Sequence, residues 1–298
     1  MRVFVTGATG FIGSAIVQEL IHSGHRVLGL TRSDAGTRSL IALGAEVHRG
    51  DLQDLDSLRS GAANSDAVIH TAFNHDFSKY VENCEVDRQA IEALGDPLAG
   101  SARLLIVTSG TALANSAPGS LATEHDLPSS SKVVPRAATE EAAASVAARG
   151  VRAAIVRLPQ VHDTVKQGLI TYAIQVAREK GVSAYVGDGL NRWPAAHLLD
   201  TARLYRLAIE KADAGDKFHA VAEEGVPVRD IAETIARGLE VPVVALAPDE
   251  SSKHFGWLAA FIGLDVPASS VHTRKKLGWN PAGPGLISDL ENMRYVPA

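Results

Sequence analysis

Three glycines, Gly7, Gly10 and Gly13, stand at every third position of Thr6-Gly7-Ala8-Thr9-Gly10-Phe11-Ile12-Gly13. Residues of this type at this spacing suit the binding of a diphosphate. Such an anion is held by backbone N–H groups, and a side chain at those positions would keep it away. Glycine permits both the turn and the close approach. A helix starting at the turn adds unpaired N–H groups and the positive end of its dipole. The flanking residues supply that context. Val3-Phe4-Val5 reads as a short strand, and Phe11, Ile12, Ala15, Ile16 and Leu20 follow helical spacing. Strand, glycine turn and helix open a dinucleotide-binding unit, here with G-x-x-G-x-x-G in place of G-x-G-x-x-G. Gly7, Thr9, Gly10, Phe11, Ile12 and Gly13 are the expected cofactor contacts.

Further candidates lie at the ends of the strands that follow. Val27-Leu28-Gly29-Leu30 runs into Thr31-Arg32-Ser33, where many NAD sites place an acidic residue. Arg32 stands there instead, and a guanidinium suits a 2′-phosphate; a solvated surface arginine is the bland reading. Asp51-Leu52 follows a third strand, and Asp51 can accept from an adenine amino group or cap the next helix. The fourth strand, 66–70, leads into Thr71-Ala72 and a polar, aromatic loop, Phe73-Asn74-His75-Asp76-Phe77. His75 with Asp76 is a candidate acid and orienting partner, or simply an exposed pair. The fifth strand, 103–107, enters Thr108-Ser109-Gly110-Thr111. Ser109 and Thr111 are candidates to polarise a carbonyl, or turn residues. His162 and Asp163 follow the sixth strand, 151–157, and are placed to border a nicotinamide. Trp193, Trp257 and Trp279 read as packing residues.

Six strands alternating with helices predict an α/β fold with a parallel, doubly wound sheet in the order 3-2-1-4-5-6. The segment 115–135 reads as a long functional loop, and 137–149 as an alanine-rich helix. After Pro159 the pattern loosens. Helices are expected over Ile170–Lys180, Leu198–Lys211 and 226–239, and the apolar segment 255–264 should line or cover a substrate pocket. Residues 1–160 and 191–222 are assigned to the cofactor domain, and 161–190 and 223–298 to a smaller substrate lobe.

The bulk numbers narrow the class. The 298 residues are 46% hydrophobic and 21% charged, with a net charge of −5. No basic run marks a nucleic-acid surface, and no apolar run approaches a membrane span of ~20 residues. One cysteine, Cys84, excludes an intrachain disulfide. The first strand at residue 2 leaves no room for a signal peptide, so the expected location is cytoplasmic. His75, His162 and His197 are too widely spaced for a metal site, and no G-x-S-x-G elbow points to a hydrolase.

Taken together, Thr6 to Gly13, Asp51-Leu52, His70-Thr71-Ala72, Thr108-Ser109-Gly110, Arg157-Leu158-Pro159, His197 to Asp200 and Leu277-Gly278-Trp279-Asn280-Pro281 resemble the extended branch of the short-chain dehydrogenase/reductase superfamily, its epimerase/dehydratase-like group. The resemblance implies a bound NAD or NADP, hydride transfer at C4 of the nicotinamide, and a C-terminal lobe that selects substrate. It adds Thr71, Ala72, Thr108 and Leu158 to the cofactor contacts. It also implies a catalytic Tyr-x-x-x-Lys, which this chain lacks. Counted back from Glu140, the tyrosine position holds Lys132 and the lysine position holds Arg136. Asp87 stands where the family often has a helix asparagine. Arg136 is a candidate cofactor or anion contact in place of the lysine.

These readings lead to an NADP(H)-dependent oxidoreductase acting on a small carbonyl compound, with NADP ahead of NAD as cofactor. Thr111 and Ser109 are the polarising hydroxyls, and Lys132 or His75 the proton source. The alternatives are a non-catalytic NADP-binding sensor and an NAD-dependent epimerase or dehydratase. The expected partner is a small-molecule substrate, with no metal, nucleic acid or membrane; a homodimer is the assembly held open.

Overall fold

The computed structural model describes residues 1–114 and 119–295; residues 115–118 of the expected long loop lie outside them. The chain forms β1 (Arg2–Thr6), α1 (Phe11–His22), β2 (Arg26–Thr31), α2 (Asp34–Ala42), β3 (Glu46–Arg49), α3 (Leu55–Ala63), β4 (Ala67–His70), α4 (Tyr80–Gly95), β5 (Leu104–Gly110), α5 (Ala138–Ala148) and β6 (Arg152–Leu158). It continues through β7 (Gln160–His162), α6 (Ile170–Lys180), β8 (Ser183–Val186), β9 (Arg192–His197), α7 (Leu198–Lys211), β10 (Lys217–His219), β11 (Glu223–Pro227), α8 (Val228–Leu239) and β12 (Val243–Leu246). Four short helices follow: α9 (Ser251–Phe255), α10 (Ala259–Ile262), α11 (Val271–Leu277) and α12 (Leu286–Asn292).

The main sheet has seven strands in the order β10-β6-β5-β4-β1-β2-β3, and every pairing within it is parallel. The expected order appears with β10 added beyond β6. Parallel strands are covered on both faces, so their residues are apolar almost throughout. Val3, Val5, Ile69 and Ile106 face α1, α2 and α7, together with Phe218 and Tyr205. Phe4, Val68, Leu105 and Val107 face α3, α4 and α5. Each such side chain contributes roughly 1.5–3 kcal/mol when buried. Strand alternation therefore decides to which helical layer each strand-end residue points. His70 and Ser109 fall on the α4–α5 side, and Thr108 on the α7 side.

The lobe contains strands that the sequence reading left as irregular, and it takes in β9, which that reading assigned to the cofactor domain. β9 pairs antiparallel with β11 and parallel with β7, and β12 pairs parallel with β8. Its core gathers Ile170, Ile174, Trp193, Ile231, Ile235, Phe255, Leu258 and Leu290. Trp279 instead packs with the main sheet's α1–α7 layer. Its indole donates to Asp200 O at 2.9 Å, and Asp200 Oδ2 accepts from the N–H groups of Ala282 and Gly283 at 3.0 and 2.7 Å. The two C-terminal family motifs thus hold each other. Among the described residues, no helix is long and apolar enough to cross a membrane.

Candidate functional site

The glycine turn is braced from below. Gly7 has φ +67°, which favours glycine, and a Cβ there would lie 2.8 Å from Ala72 N and Thr71 Oγ1. A Cβ at Gly13 would lie 2.0 Å from Gly7 O, so α1 could not close onto the turn with a side chain there. Gly10 differs: it is exposed, and a Cβ would approach only Gly7 O, at 3.2 Å. Thr71 Oγ1 donates to Thr6 O at 2.7 Å, and Ala72 N donates to Thr6 Oγ1 at 3.3 Å. α1 begins after Gly10 with no side-chain cap and no acid in its first turn. Its first N–H groups therefore remain for an anion. This cradle fits a dinucleotide diphosphate, and Gly7, Thr9, Gly10, Phe11, Ile12 and Gly13 all belong to it.

At the neighbouring strand ends the arrangement departs from the sequence expectation. Arg32 is solvent-exposed and reaches Asp51 Oδ2 at 3.5 Å. A carboxylate does stand beside this arginine, although it comes from the end of β3 and not from β2. Asp51 does not cap α3; Asp54 does, accepting from Ser57 N at 3.0 Å. Leu52 packs against the α3–α4 layer.

A buried polar chain starts at β1 and ends at α5. Thr6 Oγ1 meets His70 Nδ1 at 2.7 Å, and His70 Nε2 meets Asp87 Oδ1 at 3.0 Å. The ionised carboxylate accepts from Nε2–H, which leaves Nδ1 to accept from the Thr6 hydroxyl. Asp87 Oδ2 also accepts from Arg136 Nη1 at 2.6 Å and from Thr139 Oγ1 at 2.6 Å. Thr139 Oγ1 lies against the same guanidinium nitrogen as well. Burial pushes the Asp87 carboxyl up, but Arg136, His70 and Thr139 outweigh it and hold the group well below the usual carboxylate range. The second Arg136 nitrogen donates to Thr108 O at 3.3 Å, and its guanidinium lies 4.0 Å over the Phe73 ring. Arg136 is therefore anchored in the 3-10 turn just before α5.

The proposed acid–base residues separate. Ser109 is buried and donates to Glu140 Oε1 at 2.8 Å. Glu140 is also gripped by Arg157 Nε and Nη2 at 2.7 and 2.8 Å. Arg157 continues to His219 Nε2 at 3.3 Å, and His219 Nδ1 donates to Ser269 O at 2.9 Å. Thr111 is buried at the end of β5, and its hydroxyl donates a long bond, 3.3 Å, to Leu158 O. Lys132 is exposed in a turn ahead of α5, so the helix begins later than the motif count implied. His75 packs edge-on against Phe73, with ring centroids 5.3 Å apart. Its ring keeps a solvent-facing side, yet surrounding protein lowers its pKa, with Arg136 and Lys166 adding to the effect.

Two features, at Tyr205 and Lys166, escaped the sequence reading, and His162, read as bordering a nicotinamide, is engaged elsewhere. Tyr205 on α7 meets Thr108 Oγ1 at 2.7 Å, and burial raises its pKa; it sits inside an amphipathic helix and carries no local signal of that contact. Lys166 lies with its ammonium 5.8 Å from the Phe11 ring and in the field of His75, a juxtaposition that only the fold creates. His162 is fully buried and bonds Asp289 Oδ2 of α12 at 2.7 Å. Burial lowers its pKa, and it serves to tie β7 to the lobe's last helix. Of the three tryptophans expected in packing, Trp193 and Trp279 are buried, but Trp257 is 41% exposed. Among the described residues, no group of three or more His, Cys, Asp or Glu is placed to hold a metal ion.

Known proteins match this geometry. The chain is 47% identical over 99% of its length to a Schizosaccharomyces pombe protein described as uncharacterized, covering 100% of that protein. It is 45% identical over 97% to a Saccharomyces cerevisiae protein likewise described, covering 98% of it. The structure of Thermus thermophilus UDP-glucose 4-epimerase in complex with NAD superposes with a TM-score of 0.77 at 20% identity, covering 99% of both chains. The model of the NAD dependent epimerase/dehydratase family matches residues 3–222. With that match spanning the glycine cradle, the Asp87–Arg136 pair and the β5 and β6 strand ends, the chain belongs to the NAD-dependent epimerase/dehydratase family.

Proposed function

We propose that the protein is an NADP(H)-dependent oxidoreductase that transfers a hydride to a small carbonyl compound, using a histidine and a threonine where its family uses tyrosine. One observation carries this reading. His75 packs on Phe73, and Phe73 lies directly under Arg136, the residue at the lysine position. A titratable ring thus stands beside the anchored cation at the carboxyl edge of the sheet, where ligands sit in open α/β folds.

A bound nicotinamide supplies or accepts the hydride. The chain's own residues do the rest. The glycine cradle and the α1 N-terminus hold the diphosphate. Asp51 and Leu52 border the adenine, and Arg32 meets a 2′-phosphate. Thr71, Ala72, Thr108 and Leu158 line the path to the nicotinamide. Arg136, fixed by Asp87, steadies the neighbouring ribose or an anionic group. The Thr111 hydroxyl turns from its long bond to Leu158 O and donates to the carbonyl oxygen. The His75 imidazolium gives its proton to that oxygen as the hydride reaches carbon, and its solvent-facing side regains a proton from water. Ser109, already donating to Glu140, and Lys132, exposed in its turn, rank behind these two.

An NAD-dependent epimerase or dehydratase is the second reading. Asp51 beside Arg32 favours it, because a carboxylate there accepts from ribose hydroxyls. The missing tyrosine favours a non-catalytic cofactor sensor. Steady-state NADPH consumption with a panel of aldehydes and ketones tests the first reading. Continuous consumption with alcohol formed supports it, and tight cofactor binding without turnover refutes it.

A further inference from the structure

The chain is sparing with aromatic residues, which make up 5% of it, and its two sheet layers are filled mainly by aliphatic side chains. Yet seven rings gather at one place. Phe73, His75 and Phe77 come from the loop after β4, Tyr80 from the start of α4, Tyr172 from α6, and Trp257 and Phe261 from the segment between α9 and the end of α10. Phe77 and Trp257 are stacked, with centroids 4.1 Å apart and planes 9° from parallel. Tyr172 stands edge-on to Trp257 at 5.0 Å, and Phe261 to Phe77 at 6.1 Å. His75 joins Phe77 at 6.1 Å and Phe73 at 5.3 Å. The row therefore runs from under Arg136 to Trp257, and none of its seven rings is fully buried. Trp257 also borders an open concavity of about 630 Å³, walled by Val186, Pro248 and Ala260.

The charges around the row are few. The cations in whose field His75 lies are Arg136, already answered by Asp87, and Lys166. Partly open aromatic faces favour a flat apolar ligand. Resting on the oxidoreductase reading, we infer that the carbonyl substrate is a flat, uncharged aryl or conjugated aldehyde or ketone. Its ring packs on the Phe77–Trp257 wall, and its carbonyl points toward His75 and Thr111. The loop after β4 and the segment 255–264 form the two sides of this wall, which gives the lobe its selective role.

The test compares 2-naphthaldehyde with UDP-glucose by calorimetry, in the protein, in Trp257→Ala and in Trp257→Phe. Naphthaldehyde should bind the unaltered protein more tightly than UDP-glucose. Trp257→Ala should weaken it at least tenfold, and Trp257→Phe, which keeps a stacking ring, should restore most of the loss. Tighter binding of UDP-glucose would overturn the inference, as would naphthaldehyde affinity unchanged in Trp257→Ala. If Trp257→Ala melts early, Phe77→Leu gives the same comparison from the other side of the stack. NADPH turnover is read separately. Naphthaldehyde binding that depends on Trp257, without NADPH consumption, upholds the ligand class and removes the hydride-transfer reading.

Discussion

Arg136 Nη1 lies 2.6 Å from Asp87 Oδ2, joining the 3-10 turn before α5 to α4. The guanidinium answers the buried carboxylate, and His70 and Thr139 take up the remaining acceptor capacity of that carboxylate. Removing one partner leaves the other charge buried, which costs about 3–5 kcal/mol. Asp87→Ala should therefore destabilise the protein by roughly that amount in urea titration. Asp87→Asn combined with Arg136→Lys should be less damaging than the sum of its single changes. Additive losses would show that the pair is not coupled.

The proposed preference for NADPH is tested at Arg32 and Asp51. Arg32→Ala should weaken NADPH by roughly 1–3 kcal/mol, the scale of a charge-assisted contact, with little effect on NADH. Asp51→Asn removes the carboxylate 3.5 Å from the guanidinium and should strengthen NADPH relative to NADH. Calorimetry with both cofactors checks both variants. Equal changes for NADPH and NADH would remove the 2′-phosphate role.

Acid should loosen the fold through His219. Burial lowers its pKa from 6.5 to about 4, with Arg157 acting in the same direction and Glu124 against it. The folded state favours the neutral ring, so the unfolded chain takes up the proton first. The stabilisation is complete above about pH 6.5 and is lost as pH falls toward about 4, by up to roughly 3 kcal/mol. His219→Asn, which retains a donor toward Ser269 O, should flatten the fall in melting temperature between pH 7 and pH 5. An unchanged slope would place the acid sensitivity elsewhere, with the likewise lowered His162 as the next group to test.

For catalysis, His75→Ala and Thr111→Ala should each lower kcat by about 10²-fold or more with NADPH affinity kept. Lys132→Met should leave turnover near native. Ser109→Ala should act on stability, because its hydroxyl serves Glu140. Since His75 titrates below 6.5, the reductive rate should fall as pH rises from 5 to 8. Loss of turnover in Lys132→Met with none in His75→Ala would reverse these roles. Equal loss in Tyr80→Phe would reopen a tyrosine acid, since Tyr80 lies in the field of Arg136 with its pKa raised to about 12 by burial.

Much of the architecture was legible in local pattern. β1 to β6, their order and the glycine turn follow from apolar runs ending at Gly7, Thr31, Gly50, Thr71, Thr108 and Pro159. The lobe's helices over Ile170–Lys180 and Val228–Leu239 were legible too, but its strands were not, because β7 has only three residues and β11 carries a register shift. Such strands are defined by their partners more than by alternation. The same limit applies to the site. Gly7 and Gly13 signal themselves by type and spacing. The Asp51–Arg32 pair joins two different strands, the Glu140–Ser109 bond joins α5 to β5, and the Phe77–Trp257 stack joins residues 180 positions apart in sequence. Lys132 shows the converse case. It occupies the motif's position by count, yet the turn before α5 leaves it in solvent.

The central claim is that hydride passes from a bound nicotinamide to a carbonyl carbon without a tyrosine acid. The most direct measurement uses NADPH deuterated at C4, on each face in turn, with an aryl aldehyde as acceptor, and mass spectrometry of the product. One face should deliver a single deuterium to the alcohol carbon, with NADP formed in equal amount, and His75→Ala should slow that transfer without changing the face. Unlabelled product, or cofactor recovered intact beside unchanged aldehyde, would contradict the account.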